Sequence, residues 1–303
     1  MCFSTLGNVQ LVDRQLPEQQ QREHGLLQTE QRQQPVEQDT QALAMCAVFK
    51  DQNPDIRTWV EYHYRMGFDA FYILDDGSKE PATAELADYI AAGVVHYDLV
   101  SRRKLPHPMQ KHAYGKCLAE WGSRHTWMAF LDVDEFIVVN DPRNVTLLQL
   151  LTTYQQFGGV GLNWIMFGSS GHTERPPDGV SQYTACTPPS FFHNKHIKSV
   201  VNIKHTSGRG TSPHHFSYAN GYWAVNTDGQ KIDGPFNEPP TYGRAHINHY
   251  FTKSLAEFQE KIERGAGNGS HKTMQLFHDV NEAATETCPS LQWPPPRSLP
   301  AAT

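Results

Sequence analysis

The chain is poor in several things, and each shortage excludes a class of protein. Cysteine is scarce, with five residues in 303, at positions 2, 46, 117, 186 and 288, and no CxxC pair among them. Such spacing does not build a structural zinc site. Cys46 and Cys117 fall in apolar segments, where they read as buried small hydrophobes, and thiols used this sparsely favour a reducing compartment. Long apolar runs are also missing. The longest, Ala42–Phe49, has eight residues, against the roughly 20 that a membrane-spanning helix needs, so no transmembrane segment is expected. The first residues show no charged region leading into an apolar core, so no secretory signal is read there. Positive charge is not in excess: 26 Lys+Arg against 32 Asp+Glu give a net −6. A chain of that balance lacks the broad basic field that holds nucleic acid by its phosphates.

What is present is unevenly distributed. Eleven of the first 41 residues are Gln, a composition with too little apolar surface to offset ordering entropy, so residues 1–41 are expected to be disordered. Five prolines in the last 15 residues mark 289–303 as an extended, disordered tail. Between them, 42–288 has the length of one sizeable domain, with no internal repeat.

Within that core, apolar runs of strand length alternate with helical periodicity. Leu43–Phe49 reads as a buried strand, and Asn53-Pro54 opens a helix to about Met66, with Asn53 as its cap. Phe68–Leu74 is a second strand, Pro81–Ala91 a helix, Val94–Tyr97 a strand, His107–Trp121 a helix and Trp127–Leu131 a fourth strand. This β-α alternation predicts an α/β fold with a mostly parallel central sheet flanked by helices. Ligands of such sheets bind beyond the carboxyl ends of the strands. Both acidic clusters, Asp75-Asp76 and Asp132-Val133-Asp134-Glu135, stand at predicted strand ends.

The segment Trp127–Val139 (WMAFLDVDEFIVV) places three carboxylates in an otherwise continuous apolar run. Burying them unpaired costs several kcal/mol each. Either basic partners compensate them, or a hard divalent cation with a phosphate does.

AVFKDQNPDIRTWVEYHYRMGFDAFYILDDGS resembles the opening of the family 92 glycosyltransferases and their family 2-like relatives. WMAFLDVDEFIVV resembles their DxD segment. GLNWIMFGSSGH, KHIKSVV and INHYFTKSLAEFQEKIERG resemble later blocks, in the same order, so the resemblance spans about residues 43–281. It implies a GT-A fold: a nucleotide-sugar-binding α/β half joined to an acceptor-binding second half. By the resemblance, the DxD binds Mn²⁺ or Mg²⁺, which bridges the donor diphosphate, with Asp134 as the direct metal ligand and Asp132 facing the ribose or the metal. Asp76, or its neighbour Asp75, contacts the nucleoside. Lys50 belongs to the turn where relatives carry Lys-Asn-Glu; here Lys50-Asp51-Gln52 departs from that pattern. The implied activity is metal-dependent, inverting hexosyl transfer from a nucleotide-sugar, UDP-galactose being the family-level expectation, to a glycan or other hydroxyl acceptor. Animal relatives are Golgi proteins with an N-terminal membrane helix. The unpaired cysteines favour cytoplasm here, with the Golgi as the alternative if an anchor precedes this chain. A nucleotidyltransferase on a related sheet and a non-catalytic sugar-binding protein are the rival readings.

Cleaving a sugar–diphosphate bond builds negative charge on the leaving group, and nearby cations stabilise it. Lys198, with Lys195 beside it, is the candidate. Nine of the 16 histidines follow residue 190. The INHY block singles out His249 as the third metal ligand, with His214-His215 in competition and His246 three residues from His249. Trp164 can stack on a sugar or pack in the core. For the base that activates an acceptor hydroxyl, Glu135, Glu174, Asp178, Asp233 and Glu238 all remain open.

Overall fold

The computed structural model describes residues 41–100, 109–210, 212–265 and 271–301. The Gln-rich head expected over 1–41 lies outside these residues, apart from Gln41, which opens the first strand. Strands run in chain order as β1 (Gln41–Phe49), β2 (Ala70–Asp75), β3 (Val95–Leu99), β4 (His125–Phe130), β5 (Glu135–Val139), β6 (Gly159–Met166), β7 (Ala185–Cys186), β8 (Ile197–Asn202), β9 (Thr206–Gly210), β10 (Phe216–Tyr218), β11 (Ala224–Val225), β12 (Lys231–Ile232), β13 (Ala245–His249) and β14 (Glu286–Thr287). The α-helices are α1 (Asn53–Met66), α2 (Ala87–Ala91), α3 (Met109–Trp121), α4 (Leu147–Thr152), α5 (Leu255–Arg264) and α6 (Met274–Ala283).

The first half is the expected parallel sheet. β1 lies between β4 and β2, and β3 pairs with β2, all parallel. Beyond β4 the sheet turns mixed: β8 is antiparallel to both β4 and β6. β13 runs parallel to β6 and antiparallel to β5. The parallel strands are covered on both faces, and β1 shows why its sequence is apolar throughout. Leu43, Met45, Ala47 and Phe49 join the core on one side, while Ala44 and Cys46 join a second cluster with Tyr72, Trp121 and Phe130 on the other.

Local details depart from the sequence expectations for identifiable reasons. Gln52, not Asn53, precedes the first turn of α1, and the Asn53 amide instead donates to Glu85 Oε1 at 3.1 Å. The helix expected over Pro81–Ala91 shrinks to α2: residues 82–86 form turns, with the Ala87 N–H reaching back only three residues to the Ala84 carbonyl at 3.4 Å, and the Ala82 N–H goes to the Tyr97 hydroxyl at 2.9 Å. α1 is bolted to β5 by three contacts: Trp59 Nε1 donates to the Glu135 carbonyl (2.8 Å), Tyr62 Oη to the Ile137 carbonyl (2.8 Å), and the Ile137 N–H to His63 Nε2 (3.3 Å).

The cysteines correct an expectation outright. Cys46 is bonded to Cys117, tying β1 to α3, and Cys186 to Cys288. The thiols read as free hydrophobes in a reducing compartment are paired, so cytoplasm loses its premise. No described helix is long and apolar enough to cross a membrane.

The Pro-rich end is extended but docked, contrary to the disorder expected of it. Leu291 is buried, Trp293 packs edge-on against Tyr62, and Arg297 donates to the carbonyls of Tyr64 and Phe68 and to Asp69.

Candidate active site

The carboxyl ends of β1, β2 and β4 open on a cavity of about 350 Å³. Asp132 and Asp134 lie in the turn between β4 and β5, closed by the Glu135 N–H donating to the Asp132 carbonyl at 3.0 Å. Antiparallel pairing sets His249 of β13 directly opposite Glu135, and the Tyr250 N–H donates to the Asp134 carbonyl at 2.9 Å. The β6–β13 register then places Trp164 and Met166 against Ile247 and His249, and the Trp164 and His249 rings sit 4.4 Å apart. On the other side, the antiparallel β4–β8 register brings Lys198 to the end of β4.

Electrostatics decide the state of this cluster. Lys198 is fully buried and donates to Asp132 Oδ2 at 2.9 Å, with Glu135 Oε2 at 3.4 Å. Burial alone would lower its pKa, but Asp132 and Glu135 outweigh burial and hold it above the usual lysine range. One cation therefore serves two carboxylates, and the nearer one takes most of the benefit. Asp132 is pushed up by burial yet ends below its ordinary value, chiefly because of Lys198. Its Oδ1 also accepts from Gln110 Nε2 at 2.5 Å, and 38% of its side chain stays exposed. Glu135, fully enclosed, is driven well above the normal carboxyl range by burial, with Lys198 only partly offsetting it. Its Oε2 accepts from the Asp132 N–H at 2.8 Å, while Oε1 has no hydrogen-bond partner and lies 3.9 Å from His249 Nδ1. Asp134 is held well below its ordinary value: burial opposes ionisation, but Lys261 and His249 outweigh it. Lys261 Nζ donates to Asp134 Oδ2 at 2.5 Å, and Asp134 Oδ1 faces His249 Nε2 at 3.6 Å. Burial pulls the Lys261 ammonium down to about 8 in spite of Asp134.

Several of the residues singled out in the sequence meet here. Lys50, Asp76, Asp132, Asp134, Trp164, His214 and His249 line the cavity. Lys198 stands directly behind Asp132. Asp75 and Asp76 separate: Asp75 turns into the protein, accepting from Ser78 N and Oγ (2.8 and 2.7 Å) and from Tyr97 Oη (2.6 Å). His214 borders the cavity with Nδ1 on the Ile197 carbonyl at 2.8 Å, and burial lowers its pKa to about 3. His215 does not line the cavity. His246 is also separate, because a strand sends residues three apart to opposite faces, and its Nε2 lies 3.0 Å from Asn248 Oδ1. Lys195 pairs with Glu238 at 3.7 Å and lies 3.9 Å over the Phe192 ring, outside the cavity.

Four candidate bases are not brought to the site. Glu174 and Asp178 are exposed, Asp233 pairs with Lys231 at 3.0 Å, and the Glu238 side chain is 71% exposed. None of the four lines the cavity. Glu135 alone belongs to the cluster. The sequence reading missed Gln110, Lys261, Arg264 and Lys272, which also line the cavity. A signal existed for two of them: Glu257, Lys261 and Arg264 follow i, i+4, i+7 spacing, one stripe of α5. The Ser254/Glu257 capping box fixes where that helix starts.

The donor set fits a hard divalent cation in chemistry. Asp132 and Asp134 share one turn, the His249 imidazole stands 3.6 Å from Asp134 Oδ1, and among the described residues that oxygen has no closer partner. Among the described residues no group of three His, Cys, Asp or Glu side chains is already arranged as a metal cage. Magnesium-type sites need none, since one or two carboxylates plus substrate phosphates suffice.

Comparison with known proteins supplies the family. Residues 41–233 match the model of "Glycosyltransferase family 92". A family 92 protein of Oryza sativa subsp. japonica is 26% identical over 73% of this chain and 35% of its own length. One of Ricinus communis is 24% identical over 73% of this chain and 37% of its own. The chain thus spans about a third of the length of these curated relatives. Among solved structures, glucosyl-3-phosphoglycerate synthase from Mycobacterium tuberculosis in complex with Mn²⁺, UDP and glucosyl-3-phosphoglycerate is similar over 54% of this chain and 57% of that one, at 15% identity and a TM-score of 0.33. The catalytic domain of a Drosophila β1,4-galactosyltransferase 7 covers 77% and 82% at 11% identity and 0.32. Likeness at those scores is remote, and the assignment rests on the family match, which takes in more than half of the sequence: the chain belongs to glycosyltransferase family 92.

Proposed function

We propose that this chain transfers a sugar from a nucleotide-sugar donor to a hydroxyl acceptor, with the donor diphosphate held at Asp132 and Asp134 through Mn²⁺ or Mg²⁺. One observation carries the reading: two ionised carboxylates and His249 face a cavity of about 350 Å³ whose other walls include Lys261, Arg264 and Lys272. An anionic ligand is repelled by the first group and attracted by the second, so a diphosphate bridged by a cation suits both.

In this reading Asp134 and His249 hold the cation, with Asp132 beside them. When bound, the ion acts as a Lewis acid on the leaving diphosphate. The protein's own groups do the remaining work. Lys198 keeps Asp132 ionised, and Glu135 fixes the turn through the Asp132 N–H. Lys261 neutralises Asp134 through Oδ2, and with Arg264 it supplies positive charge for the phosphates. Asp76 at the end of β2 stands where the nucleoside is expected. Trp164, whose indole N–H has no hydrogen-bond partner, borders the same space. Glu135 serves as a positioning group, because it is fully enclosed and committed to Asp132 and Lys198.

UDP-galactose as donor, a glycan as acceptor and inversion at the anomeric carbon are carried from the resemblance. A thermal-shift screen of nucleotide-sugars with Mn²⁺ tests the class, since a ligand that binds the folded state raises Tm by mass action. A rise with at least one nucleotide-sugar, abolished by chelator, is expected. No rise with any donor contradicts the reading. Proton NMR of the first product formed reads the anomeric outcome.

A further inference from the structure

A modification site stands on the face of the molecule that the cavity does not use. The tripeptide Asn144-Val145-Thr146 fits the acceptor pattern for N-linked glycosylation, Asn-x-Ser/Thr with x other than Pro. The pattern is short and common by chance, so its placement has to carry the argument.

Asn144 is exposed. It sits at positive φ (51°) in a tight turn closed by its own N–H on the Asp141 carbonyl at 2.9 Å. That turn is rigid from below. The Asp141 carboxylate is enclosed and gripped by Arg143 (2.8 Å) and Arg244 (2.7 Å). From above, Thr146 caps α4 in a reciprocal box with Gln149. The turn therefore projects the Asn144 carboxamide outward, and that carboxamide makes no hydrogen bond to any described residue. A glycan rooted there displaces nothing. Asn144 also borders an apolar cleft of about 730 Å³ beside Trp293 and the Pro-rich end, and it is not part of the acidic cavity.

The second observation is independent. All four cysteines among the described residues are paired, Cys46 with Cys117 and Cys186 with Cys288. Such bonds form and persist in oxidising compartments, the endoplasmic reticulum lumen among them, and that lumen is where Asn-x-Ser/Thr acceptors are modified.

From these we infer that the chain matures in the secretory lumen and carries an N-linked glycan on Asn144. In the transfer, the Asn144 Nδ2–C1 bond forms and the C1–O bond of a lipid-diphosphate-linked oligosaccharide breaks. The amide proton is lost and the lipid diphosphate departs. A second tripeptide of the same pattern, Asn268-Gly269-Ser270, lies outside the described residues, so the test must resolve the two positions.

The protein isolated from the organism that makes it is digested without reduction and mapped by glycopeptide mass spectrometry. The expected result is an N-acetylhexosamine-rooted glycan on the Asn144 peptide, with Cys46, Cys117, Cys186 and Cys288 resisting alkylation until reduced. An Asn144→Gln variant made in the same host should lose one glycan's mass and bind nucleotide-sugar as the wild type does. A bare Asn144 peptide overturns the inference, whatever the state of Asn268. Four freely alkylated thiols overturn the lumenal assignment. Neither outcome touches the proposed transfer chemistry, which the donor screen tests separately.

Discussion

Two buried acidic clusters lie side by side in this molecule, and only one of them is a candidate site. In the first, Asp55 and Glu257 are saturated. Asp55 takes Arg175 and Lys253, each at 2.5 Å. Glu257 takes Arg175 (2.8 Å), Tyr183 (2.5 Å) and Ser254 (2.7 Å). Every carboxylate oxygen is used, and the network ties α1 to α5 and to the loop bearing Arg175. In the second, 38% of the Asp132 side chain stays exposed, and among the described residues Asp134 Oδ1 has only His249, at 3.6 Å. Buried charge that its own protein compensates completely is architecture. Buried charge left short of partners and facing an open cavity is capacity for a ligand.

That contrast sets what substitutions should do. The largest effect is expected at Asp134. Asp134→Asn should reduce turnover by about 10²–10³-fold, the scale of removing one key charge-stabilising group, while circular dichroism stays native. Steady-state kinetics over a Mn²⁺ series measures it. Next is the saturated cluster, where stability rather than turnover should fall. Asp55→Ala leaves Lys253 and Arg175 uncompensated and should cost about 3 kcal/mol of stability; Arg175 is a third exposed, which keeps the figure at the low end. Activity per folded molecule should persist, and urea unfolding with parallel assays separates the two.

The same residue predicts a pH effect. Burial alone would raise the pKa of Asp55, but Lys253 and Arg175 outweigh it and hold it below its ordinary value. Its contribution is therefore complete above the unfolded carboxyl value of about 3.9 and is lost as pH falls through the depressed native one. Stability of Asp55→Asn should be flatter than wild type below about pH 4, read by unfolding midpoints across acid pH.

A smaller contrast lies along one strand. His249→Ala should raise the metal concentration for half-maximal turnover by at least about tenfold, whereas His246→Ala, on the opposite face of β13, should leave it unchanged. The least effect is expected at Lys50, a half-buried cation at the rim. Lys50→Ala should change KM for the donor by about fivefold at most, as for an exposed ion pair.

Much of this was legible in the sequence where local pattern governs. The apolar runs ending in Asp75-Asp76 and Asp132–Glu135 marked strand ends, and strand ends marked the cavity. What local pattern does not encode was missed. Asp75 and Asp76 look equivalent until the Ser78 turn and Tyr97 draw one of them inward. Lys261 reaches Asp134 across 127 positions of sequence. The cysteines pair at separations of 71 and 102 residues, which no spacing rule reveals. The four surface acids were proposed as bases by residue type alone, and solvated loops hold such residues without any chemical duty. The Pro-rich end looked featureless because its order comes from Tyr62, Tyr64 and Phe68, far upstream.

The most direct measurement is isothermal titration calorimetry of a nucleotide-sugar into the wild type and Asp134→Asn, each with Mn²⁺ and with chelator. Binding by the wild type with Mn²⁺ only, and none by the variant under either condition, is the predicted result. Equal affinity with and without metal, or unchanged affinity in the variant, would contradict the assignment of Asp134 to a cation-bridged diphosphate.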